Sequence, residues 1–83
     1  MRLDDINAFI DVKRAHDRMA KRAKVFHDED VQITSMSDFR EIATLTDSSI
    51  KRDPLGDGSG DAIFSINYRG IKIWYMSRAG EVA

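Results

Sequence analysis

Residues Ala62–Ser77, AIFSINYRGIKIWYMS, are two β-rich runs of similar length that meet at Asn67-Tyr68-Arg69-Gly70. The segment holds Phe64, Tyr68, Trp74 and Tyr75, so core formation is concentrated there and a β-hairpin over about 62–77 is predicted. Its register matters, because a slip of one residue exchanges the two faces. A two-residue Arg69-Gly70 loop pairs Tyr68 with Ile71, Ile66 with Ile73 and Phe64 with Tyr75, which makes one face wholly apolar. The other face then carries Asn67 and Lys72, Ser65 and Trp74, Ile63 and Met76. Alternatively, Asn67 begins a type I turn with Gly70 as a bulge, and Trp74 sits opposite Phe64. The first register is preferred because it sorts the side chains more cleanly.

A second long-range constraint lies at the other end. From Leu3 to about His27 there is no Gly or Pro, and Phe9, Val12, His16, Met19, Ala23 and Phe26 recur at steps of three and four. Leu3, Ile6 and Ile10 form an adjoining stripe. One helix over about 3–27 is predicted, with Asp4 or Asp5 at its start and Asp28-Glu29-Asp30 at its end. At about 1.5 Å per residue, some 24 residues span about 36 Å, more than so small a domain can cover. Part of the apolar face is therefore expected to meet another chain, making the protein a homodimer.

Between these elements, Val31-Gln32-Ile33-Thr34 alternates like a short strand. Ser35 or Ser37 can cap a second helix from Asp38 to about Thr46, with Phe39, Ile42, Ala43 and Leu45 inward. These occupy about 31–46. Residues 53–61, DPLGDGSGD, hold the one proline and three of the five glycines and read as a loop. The 83 residues are read as a single α+β domain: a long amphipathic helix packed on a small antiparallel sheet that ends in the hairpin.

The composition restricts function. A charged share of 33% and a net charge of −1 exclude a uniformly basic nucleic-acid coat, and the absence of cysteine removes disulfides, thiolate metal sites and thiol nucleophiles. The opening MRLDDINAFID is acidic where a secretory leader needs an apolar run, and nothing approaches a membrane span, so a cytoplasmic address with no membrane is expected. Laid on a calcium loop, residues 53–64 put Leu55 and Phe64 where oxygen ligands belong. The spacing of Gly56, Gly58 and Gly60 leads into a strand, so it lacks the helix N-terminus of a phosphate cradle. His16 has Ala20 rather than histidine four residues on, so a buried or interfacial role is expected for it; His27 complements the helix C-terminus. No serine stands in a Ser-His-acid arrangement. No catalytic residue, metal or cofactor is assigned, and the expectation is a protein that is not an enzyme.

Two surfaces remain as candidates. Between Lys13 and Lys24 the helix carries six bases against Asp17, with Arg14, Arg18 and Arg22 in a ridge at i+4 spacing. Helix solvation and the macrodipole account for much of this clustering, since Asp4, Asp5 and Asp11 lie toward the other end. Trp74 and Met76 are the second candidate: burial within the chain is the default for tryptophan, and if exposed the pair has the composition of an interface hot spot. Arg14, Arg18, Arg22, Trp74 and Met76 are thus the candidate contacts to a protein partner. Lys21, Arg69 and Lys72 are candidate nucleic-acid contacts.

The order helix, strand, helix, hairpin resembles a winged helix-turn-helix domain, with Ser65–Trp74 as the wing and Glu41-Ile42-Ala43 and Ser49-Ile50-Lys51-Arg52 similar to fragments of the motif. That resemblance covers about a third of the chain and implies DNA binding. The interval from Ala43 to Ile50 is too short for two helices and a turn, and Pro54 would cut the second helix, so no residue role is carried over. In size, charge density and lack of catalytic signature the chain is also similar to small phage-encoded inhibitor or accessory proteins. The leading expectation is a non-enzymatic interaction module that binds and modulates another protein, by inhibition in the simplest case, with DNA binding as the alternative.

Overall fold

A computed structural model describes residues 1–23 and 30–81, apart from the side chains of Lys21 and Ala23. Six elements follow in order: α1 (Leu3–Ala23), β1 (Val31–Gln32), α2 (Met36–Leu45), β2 (Lys51–Pro54), β3 (Ala62–Tyr68) and β4 (Ile71–Ser77). The architecture is α+β. Residues 24–27, into which the sequence extends α1, lie outside the described residues, as does His27.

The hairpin takes the two-residue loop. Tyr68 pairs with Ile71, Ile66 with Ile73 and Phe64 with Tyr75. Arg69 and Gly70 both have positive φ, 53° and 81°, the pair of values a type I′ turn needs, and this turn suits the right-handed twist of the strands it joins. Gly70 meets that requirement without a Cβ penalty, and Arg69 is held in place by contacts to α1 described below.

Two features differ from the sequence reading. First, the sheet is mixed rather than antiparallel: its order is β1-β4-β3-β2, and β1 lies parallel to β4, with Val31 beside Ile73 and Gln32 beside Trp74. A helix intervenes on either side of β1 in sequence, so nothing in its local pattern reveals the direction of its neighbour. Second, Asp53 and Pro54 belong to β2 rather than to a loop, pairing with Ile63 and Ala62. Pro54 lacks a backbone donor, and it is tolerated because β2 is an edge strand.

Ser35 caps α2, its Oγ accepting from the Asp38 backbone N–H at 3.4 Å. Phe39, Ile42 and Ala43 point inward from α2, as the spacing predicts. They meet Ile6 and Ile10 of α1 and the apolar sheet face of Ala62, Phe64, Ile66, Ile71 and Ile73 in one core. Phe39 is fully buried, and its ring stacks on Tyr75 with centroids 6.2 Å apart. Tyr75 is held from its polar end as well. Its hydroxyl donates to Glu81 at 2.8 Å, which raises the phenol's pKa, while the Arg78 backbone N–H and the same hydroxyl lower that of Glu81.

The orientation of α1 is the least expected feature. Ile6 and Ile10 are the residues of this helix in the main core cluster, with the small Ala20 buried further along, and the longer stripe of Phe9, Val12, His16 and Met19 turns to solvent. Polar contacts set this rotation. Tyr68 Oη donates to Asn7 Oδ1 at 2.6 Å, Arg69 Nη2 bonds Asp11 Oδ1 at 2.8 Å, and the Arg14 guanidinium lies against Gly70. After Ile10 the inward positions are taken by the Lys13–Asp17 ion pair at 3.1 Å, whose partners are one turn apart. The N-terminal half of α1 is thereby tied to the hairpin turn, and in its second half Ala20 is the one buried apolar side chain among the described residues, outside the main cluster.

Candidate functional site

Both helices pack on the same face of the sheet, the face of Phe64, Ile66, Ile73 and Tyr75. Side chains alternate along each strand, so Lys51 and Asp53 of β2, Ile63, Ser65 and Asn67 of β3, Lys72, Trp74 and Met76 of β4, and Gln32 of β1 face the other way. The molecule measures 41 × 29 × 17 Å. Its thinnest dimension holds one helix layer and one sheet layer, and among the described residues no third layer covers that second face.

Register puts Trp74 near the centre of this face. One row across the four strands reads Gln32, Trp74, Ser65, Lys51. On one side of that row lie Met76 and Ile63, and on the other Lys72 and Asn67. Trp74, Met76 and Ile63 are each half-buried by their neighbours, whereas Ser65 is buried, small and shaded by the longer side chains flanking it. Trp74 is thus neither fully buried, the default expectation, nor fully exposed. Among the described residues no apolar layer covers Trp74, because both helices pack on the opposite face.

The polar side of the face forms a shallow groove of about 340 Å³ lined by Ser49, Lys51, Asp53, Ser65, Asn67 and Lys72. Lys51 is highly exposed and lies 3.8 Å from Asp53, while Lys72 has no ion-pair partner among the described residues. The local charge is thus positive although the whole chain is slightly negative. A half-buried aromatic, a methionine and an isoleucine beside two lysines can take an apolar side chain over Trp74 and a carboxylate or phosphate next to it. Lys51 and Gln32 were not singled out as contacts from sequence, since only the pairing of β2 and β1 brings them into the Trp74 row.

The other candidates are dispersed. Arg69 is engaged by Asn7 and Asp11, and Arg14 is half-buried at Gly70. Arg18 and Arg22 are exposed and have no ion pair among the described residues. The Lys21 side chain lies outside the described residues. Lys72 faces away from α1, so the helix ridge and Lys72 do not form one surface. Where a winged-helix motif needs its recognition helix, the chain has Ser49, Ile50 and strand β2 instead. His16 is exposed rather than buried, its Nδ1 3.6 Å from Asp17. Among the described residues no group of three or more His, Cys, Asp or Glu could hold a metal, and no helix is long and apolar enough to cross a membrane.

The chain matches no family model, no curated protein and no solved structure.

Proposed function

We propose that this chain is a non-enzymatic interaction module that binds another protein on the uncovered sheet face and modulates it, Trp74 and Met76 forming the anchor. The observation that carries this reading is the tryptophan near the centre of a sheet face that neither helix covers. Tryptophan is enriched at interface hot spots because it combines a large apolar area with a polar N–H, and Lys51 and Lys72 form a cationic rim around it. The fitting partner therefore presents an apolar side chain flanked by Asp or Glu. A cytoplasmic setting agrees with the absence of cysteine.

The test is affinity capture from the host lysate with the wild-type protein and a Trp74→Ala variant. Because Trp74 is only half-buried and lies outside the core, the variant is expected to keep its fold, which a melting curve checks. One protein captured by the wild type should be lost with Trp74→Ala, and for the purified pair the dissociation constant should rise roughly thirtyfold or more, the effect of losing about 2 kcal/mol at a hot spot. Equal capture by both chains would refute the reading. DNA binding through the exposed Arg18 and Arg22 is the second reading: it predicts capture that survives Trp74→Ala and disappears with nuclease or rising salt.

A further inference from the structure

The helix layer has an open surface of its own. Phe9, Val12 and Met19 are 53%, 68% and 61% exposed, and with His16 they follow one another at steps of three, four and three along one side of α1. That is the spacing of a helix–helix seam, and among the described residues nothing covers it. A trough runs beside it: Phe9 and Val31 line both an apolar groove of about 260 Å³ that reaches Ile33 and Ile42, and a second of about 420 Å³ that reaches Val12 and His16.

We propose that this stripe pairs with the same stripe of a second copy, the two α1 helices running antiparallel. Three observations commit the surface to a second copy. The spacing is symmetric about residue 14, so antiparallel contact sets Phe9 against the partner's Met19 and Val12 against the partner's His16, each pair occurring twice, as an isologous interface requires. Charge agrees with that direction. Antiparallel contact brings Asp5, which lines the same groove as Phe9, alongside the partner's exposed Arg22. A parallel pair would set Asp5 beside the partner's Asp5 and Arg22 beside the partner's Arg22. Finally, the exposed residues bordering the seam on one side are Ala8 and Ala15, small enough to let the backbones approach.

The pairing is independent of the sheet-face reading, because the seam and Trp74 lie on opposite sides of the sheet and each can be removed without the other. Sedimentation equilibrium of the purified chain should show a concentration-dependent dimer. Val12→Asp, at a position already exposed in the single chain, should weaken it roughly a hundredfold while far-UV circular dichroism stays unchanged. Asp5→Arg and Arg22→Asp should each weaken self-association roughly tenfold, and an equimolar mixture of the two variants should recover wild-type affinity, because the mixed dimer restores both opposite-charge contacts. A chain that stays monomeric up to about 100 μM, well above the micromolar range of specific association, would overturn the proposal. So would a dimer indifferent to Val12→Asp, or a mixture of the charge variants no tighter than either alone.

Discussion

Replacing Phe39 by Ala is expected to leave the protein largely unfolded at physiological temperature. Phe39 is the largest of the fully buried side chains, shares the core cluster with Ile42 of its own helix, and stacks on the Tyr75 ring. Removing such a side chain costs about 3–5 kcal/mol, transfer and cavity together. For a chain of 83 residues the whole stability is on the order of 4–12 kcal/mol. A loss of that size removes most of the margin, and no disulfide or described metal cluster compensates for it. Thermal unfolding followed by circular dichroism should show a midpoint lowered by about 15 °C or more. A shift of only a few degrees would mean that α2 does not close the core as described.

The second large effect distinguishes the two stripes of α1. Ile10→Asp places a carboxylate at a fully buried position among Ile6, Phe39 and the sheet, with no cation beside it in the core cluster. The expected cost exceeds about 4 kcal/mol, because a buried charge without a partner is the most destabilising kind of single substitution. Val12→Asp, two residues further on, should change the stability of the single chain by less than about 0.5 kcal/mol. Urea unfolding at low protein concentration, where self-association does not contribute, measures both. Equal destabilisation by the two substitutions would contradict the observed rotation of the helix.

The contrast between Ile10 and Val12 also shows how far the sequence could be read. The helix, the cap at Ser35, the inward face of α2 and the hairpin register follow from local rules, because each depends on residues within about ten positions of one another. The rotation of α1 does not. By count of apolar residues the Phe9-Val12-His16-Met19 stripe is the better core face, and the shorter stripe prevails because Asn7 and Asp11 engage Tyr68 and Arg69, about sixty residues away in sequence. No periodicity records such contacts. The same holds for β2. Lys51–Pro54 contains two bases, an acid and a proline, a poor strand by propensity, and it is a strand because β3 offers it an open edge.

For the candidate site, the hairpin register alone placed Trp74, Met76 and Ile63 on one face, and that much was legible. What covers the face depends on where both helices pack, a question of tertiary arrangement. Once both pack on the Phe64 face, neither helix covers Trp74, and Lys51 and Gln32 join it through pairings with β3 and β4.

Trp74 is the sole tryptophan, so its fluorescence reports directly on whether the sheet face is open. Acrylamide quenching of the unliganded protein, measured in native buffer and again in denaturant, is the most direct test of that arrangement. Substantial quenching in the native state, below the unfolded value and insensitive to Val12→Asp, is the predicted result. Blue-shifted emission with no quenching in the native state would show the tryptophan enclosed, and a two-layer fold with an uncovered sheet face would be excluded.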